Sequence, residues 1–198
     1  MKAYNTSVNY LKALGISLMV LGHSGIIDHE ISFIYMFHMP LFFIASGYCF
    51  KEKYLSTPRK YIYNKVKGIY WPYVKWSLLF LLLHNVCFNL HLYSDQYGWK
   101  EYVSHLYAPS EFLSLATSII FKMQEHEQLL GGYWFMNALF FGSLIVWLVI
   151  RYVKQPLCGG AILIVICTIL NKTCWQIPFI NISSQAFAAG LLIYIGYS

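Results

Sequence analysis

VNYLKALGISLMVLGHSGII, residues 8–27, is followed after only Asp28-His29-Glu30 by ISFIYMFHMPLFFIASGYCF, residues 31–50. Each stretch holds twenty residues, and in each the apolar side chains run together rather than alternating. At about 1.5 Å per helical residue, twenty residues cover the roughly 30 Å hydrocarbon core of a bilayer. The pair therefore reads as two transmembrane helices joined as a tight hairpin. The first is not a cleavable signal peptide, because its charged flank is short and no small-x-small site precedes the turn.

The rest of the chain follows the same logic. Of its 198 residues, 58% are hydrophobic and only 11% are charged, whereas soluble domains carry about 25% charged residues. So few charges could not cover a water-facing surface. Further apolar segments lie near 73–92, 133–150, 157–170 and 182–198. The expected fold is an all-α, polytopic transmembrane helix bundle with about six spans, the fifth of them short. The last span lacks a polar flank, so it reads as incomplete. In the polar stretch 93–132, Phe112, Leu115, Ala116, Ile119, Ile120 and Met123 recur at helical spacing behind Ser110 as N-cap. This predicts a short amphipathic helix on the membrane surface.

Orientation comes from the cations. With the N-terminus in the cytoplasm, 11 of the 14 Lys and Arg residues lie on the cytoplasmic side, and only Lys100, Lys122 and Lys172 face outward. Short loops rich in Lys and Arg stay inside. The expected location is the cell membrane, and the net charge of +6 serves topology, with no nucleic-acid partner. Cys49, Cys87, Cys158, Cys167 and Cys174 show no metal-ligand spacing and read as small buried side chains; no metal is expected.

Ionisable side chains within spans mark function or a partner. His23 lies eleven residues after Lys12, about 16 Å along a helix, and His38 lies in the second span. Counted from the hairpin turn, the two histidines differ in depth by about 5 Å, so both can face one intramembrane pocket. An imidazole titrating near neutrality suits a general base, while the plainer alternative is a hydrogen bond to a neighbouring helix. Pro40 reads as a kink, and Gly22, Gly25 and Gly47 as close-packing positions. Lys65 and Lys67 sit beside Tyr70 and Trp71 in a basic loop at the mouth of the third span. Topology alone asks for some of these cations, but such a cluster also suits a phosphorylated ligand.

Leu11-Lys12-Ala13-Leu14-Gly15-Ile16, Val20-Leu21-Gly22-His23-Ser24, Phe37-His38-Met39-Pro40-Leu41-Phe42-Phe43 and Ser46-Gly47-Tyr48 resemble the opening of the acyltransferase 3 family of membrane O-acyltransferases, in its fucose 4-O-acetylase-like branch. The likeness extends through Trp71-Pro72-Tyr73 to the stretch from Tyr133 to Phe141. It implies transfer of an acetyl group from acetyl-CoA, the acyl donor, to a hydroxyl of a carbohydrate acceptor on a cell-surface glycan or its precursor. By the same resemblance His23 is catalytic with His38 beside it, and Lys12, Lys65 and Lys67 hold the donor. The family usually has arginines at these basic positions; lysine keeps the charge and loses bidentate phosphate contacts. Family members have about ten spans of bilayer length, which makes this chain an N-terminal portion of the domain and places its own activity in question.

Two other classes fit the spans: a small-molecule transporter and a non-catalytic membrane scaffold. A transporter should show paired broken helices in matching halves, and the sequence has no internal symmetry. A scaffold has no need of His23.

Overall fold

The computed structural model describes residues 6–23, 31–93, 105–124, 126–173, 182 and 184–198, without the side chains of Ser7, His23, residues 31–36 and Thr173. The expected turn at residues 28–30, Gly25 and Cys174 lie outside the described residues. Among those described, every regular element is helical: α1 (Thr6–His23), α2 (Ile31–Tyr48), α3 (Lys53–Ser56), α4 (Pro58–Lys65), α5 (Trp71–Asn89), α6 (Pro109–Lys122), α7 (Trp134–Tyr152), α8 (Pro156–Thr173) and α9 (Ser184–Tyr197). A π-helical turn (Val66–Tyr70) joins α4 to α5, and a 3₁₀ turn (Gln128–Leu130) precedes α7. The chain is all-α, as its apolar runs predict.

α9 packs against α2, α7 and α8. Small residues make that possible. A Cβ at Gly142 of α7 would lie 2.9 Å from the Ala186 carbonyl oxygen and 3.0 Å from the Gly190 amide nitrogen. One at Gly47 of α2 would collide with the Ile193 carbonyl, so Gly47 serves the close packing its sequence context predicts. Phe43, Ala138, Val146, Leu163, Ala189, Ile193 and Tyr194 form the core around this contact. α1 packs on α2, which continues through Pro40.

The basic stretch predicted as a loop is helical. Pro58 occupies the first turn of α4, where its missing N–H is no loss, and the backbone stays right-handed from there through the π-helical turn into α5. The Trp71 amide reaches back to the Val66 carbonyl. This wider turn gives the Pro72 ring room that an α-helical turn would deny it.

A second core joins α5, α6 and α7 through Tyr73, Val74, Leu81, Tyr107, Ile119, Met123 and Phe140. Phe112, Leu115, Ala116 and Ile120 pack against it. The helical periodicity of α6 was legible, but its apolar face meets protein, not a membrane surface. The start differs too: α6 opens at Pro109, and the Glu111 carboxylate, not Ser110, accepts the Ala108 amide at 2.9 Å.

α7 is long and apolar enough to cross a membrane; Val8–Gly22, Pro156–Lys172 and Ser184–Tyr197 are shorter apolar helices. Leu14, Val20, Leu82, Val86, Leu157 and Val165 all point outward. An apolar exterior over packed helices fits a hydrocarbon surround.

Candidate functional site

A cavity of about 440 Å³ opens where α1, α2, α4, the π-helical turn, α7 and α9 meet. Its volume lies in the range of small-molecule sites. Three interactions brace the wall at Tyr61. The Tyr61 hydroxyl donates to the Ser143 carbonyl at 2.9 Å, and the Tyr61 ring stacks on Trp147 with centroids 5.8 Å apart. Trp147 Nε1 then donates to the Tyr54 carbonyl at 3.0 Å, tying α3 and α4 to α7. The π-helical turn supplies Gly68 and Ile69 to the wall. No atom lies within 4 Å of where a Gly68 Cβ would stand, so the wall is open there.

Lys12 from α1 and Lys65 from α4 both line the cavity. Lys65 is half-buried, with its ammonium 5.5 Å from the centre of the Tyr61 ring. Burial pushes its pKa down to about 8. Among the described residues no carboxylate pairs with it. A desolvated cation without a counter-ion has a strong electrostatic preference for an anionic ligand. Asn64, Ser46 and Ser143 add hydrogen-bonding groups to the same cavity. Lys67, expected beside Lys65, is exposed and lies off the lining.

The histidines stand beyond the cavity. Gly15 of α1 abuts the Phe42 ring of α2. His38 is four residues from Phe42, about 6 Å along the axis, and is 1% exposed. His23, the last residue of α1, is eight residues from Gly15, about 12 Å in the same direction. Its side chain lies outside the described residues, and so does the expected pairing of the two imidazoles.

A second cluster was not anticipated. His84 of α5 places Nδ1 3.1 Å from both carboxylate oxygens of Glu127, and Nε2 3.3 Å from the His105 carbonyl. The Tyr93 hydroxyl donates to Glu127 at 2.8 Å, and the Tyr107 ring stacks on His84 at 3.5 Å. Asn85 closes a two-way bond with the Tyr107 backbone at 2.8 and 3.1 Å. Burial pushes the Glu127 carboxyl up, and the His84 and Tyr93 hydrogen bonds oppose that only in part. These bonds tie α5 to residues 105–107 and to Glu127. An ionisable residue inside an apolar run was the available signal; its partner 43 residues away was not.

The thiols also differ from expectation. Cys87 is buried, but Cys158 is exposed and Cys49, also exposed, lines the cavity.

The sequence matches the family described as an acyltransferase domain over residues 5–197. No curated protein and no solved structure matches.

Proposed function

Because the chain belongs to this membrane-associated acyltransferase family, we propose that it takes part in O-acetyl transfer from acetyl-CoA to a sugar hydroxyl of a cell-surface glycan or its precursor. The chain crosses the cell membrane several times with its N-terminus in the cytoplasm, and the cavity opens to that side. The observation that carries this reading is the convergence of Lys12 and Lys65 on one cavity, with no carboxylate paired to Lys65 among the described residues. Those two ammonium groups suit the phosphates of the donor, and the apolar wall suits the pantetheine arm and its thioester.

His23 draws the proton from the acceptor hydroxyl as that oxygen attacks the thioester carbonyl. The C–S bond breaks, and His23 returns the proton to the departing sulfur, so that acetyl ester and free CoA leave with no net change in protons. His38, enclosed one turn past Phe42, orients this end of the site.

Cys49 reports on the cavity directly. Membranes containing the full chain are treated with a maleimide, with and without acetyl-CoA, and the Cys49 and Cys158 peptides are quantified by mass spectrometry. Acetyl-CoA should protect Cys49 and leave Cys158 unchanged. An impermeant maleimide should reach Cys49 in inside-out vesicles and not in intact cells. Labelling of Cys49 that ignores saturating acetyl-CoA sinks the donor-site reading, and labelling in intact cells reverses the topology.

A further inference from the structure

A second groove lies on α6 and shares no residue with the cavity. Phe112, Ala116 and Ile120 turn that helix inward onto the second core. Ser114, Thr117, Ser118, Phe121 and Lys122 recur at steps of three and four, so they share its opposite side. Together with His126 they line about 310 Å³, at the low end of small-molecule sites.

Contacts from three elements hold the groove in shape. Met123 ends α6 at a φ of 47°, in the left-handed region, with its side chain buried in the second core. That conformation is strained for a residue with a Cβ, so packing must hold the reversal. Asn137 of α7 reinforces it, donating to the Lys122 and Met123 carbonyls at 3.4 and 3.3 Å. Glu127, bonded to His84 of α5, fixes the chain just past the turn. The reversal carries the buried His126 back to Ser118, eight residues earlier, with Nε2 3.2 Å from Oγ. Ser118 Oγ also donates to Gln124 Oε1 at 3.0 Å, and Thr117 Oγ1 donates to the Ser114 carbonyl at 2.7 Å.

The lining suits a neutral, hydroxyl-rich ligand. Burial holds the His126 imidazole below its usual pKa, so it is uncharged at neutral pH. The groove ends over the carbonyl terminus of α6, where the helix dipole disfavours an anion, and Lys122 offsets that field. No described carboxylate lines the groove to favour a cation. Phe121 stands at the rim, 72% exposed, and the negative face of its ring suits the C–H side of a sugar. Three hydroxyls beside Phe121 and Lys122 distinguish this face from one laid against lipid tails, which would be apolar. We propose that the α6 groove binds a neutral sugar unit of the acceptor glycan on the outer side of the membrane. This rests on the topology and the sugar acceptor of the preceding reading. Binding energy from a unit that does not react helps to orient the one that does.

The test places Ser114→Cys in the full chain and applies an impermeant maleimide to intact cells. Methyl glucoside, methyl galactoside, methyl mannoside and glucuronate are the probes, and Leu106→Cys, exposed and off the groove lining, is the control. The thiol at position 114 should label. At least one methyl glycoside should slow that labelling, about tenfold at ten times its dissociation constant. Glucuronate should protect no better, and labelling at position 106 should not change. Adding Phe121→Ala should weaken the protection about fivefold, the size of one aromatic contact; Ser118→Ala serves if Phe121→Ala fails to insert. Absence of protection by every neutral sugar overturns the proposal, as does protection by glucuronate alone or protection unchanged in both variants. A thiol at position 114 that resists the reagent in intact cells and inside-out vesicles alike shows lipid against this face, with the same consequence. Labelling in inside-out vesicles only reverses the topology and removes this inference with it. Protection of Cys49 by acetyl-CoA with no sugar protection at position 114 defeats this inference alone, and the opposite pattern defeats only the donor site.

Discussion

Lys65→Met should make the protein more stable while weakening its hold on the acyl donor. The ammonium sits in a cavity that lowers its pKa from 10.5 to about 8 through burial. At about 1.4 kcal/mol per pH unit, that displacement corresponds to about 3 kcal/mol against the charged form, an upper bound because the side chain keeps some solvent. The folded protein releases this proton at lower pH than the unfolded chain does. The cost to folding is therefore present in full below pH 8, fades as pH rises from 8 toward 10.5, and vanishes above that. Methionine has similar length, no charge and enough flexibility to fill the same space. Thermal unfolding in detergent should show Lys65→Met more stable at pH 7, by up to about 3 kcal/mol, with most of the gain gone near pH 10. Saturating acetyl-CoA should narrow the gap at pH 7 by stabilising the unaltered chain, because an anion relieves the cost the lysine carries. A variant no more stable at pH 7, or one whose gain is the same at both pH values, would refute the claim that an uncompensated cation occupies the cavity.

Glu127→Gln removes the carboxyl partner of a buried imidazole that also engages the His105 carbonyl. Loss of such a partner costs about 3 kcal/mol, so amide exchange across residues 105–107 and 126–130 should quicken by roughly a hundredfold. Unchanged exchange there would mean that Asn85 and the apolar packing hold the segment without the pair. His23→Gln should lower kcat for acetyl transfer by about 10²- to 10⁴-fold at normal membrane levels, since an amide cannot accept the proton. Near-full activity would make His23 structural.

How much of this was legible in the sequence divides along physical lines. The helices were, because an apolar run in lipid must satisfy its backbone hydrogen bonds internally, whatever surrounds it. The periodicity of α6 was legible for the same local reason, as was Gly47 as a packing point. What lay against each face was not. Phe112 and Ile120 look equally suited to lipid and to protein, and only assembly turned them onto α5 and α7. The cations of the cavity show the difference most directly. Read as a loop, Lys65 and Lys67 were interchangeable; on a helical backbone, positions two apart face different directions. Lys65, at the end of α4, lines the cavity and Lys67, in the π-helical turn that follows, is exposed, while Lys12, more than fifty positions earlier in the chain, arrives at the same cavity from α1. His84 and Glu127 meet in the same way, across 43 positions and a change of direction. Local composition determined which segments are helical; the convergence of Lys12 and Lys65 on one cavity came from packing, because it depends on helix phase and on contacts between segments far apart in the chain.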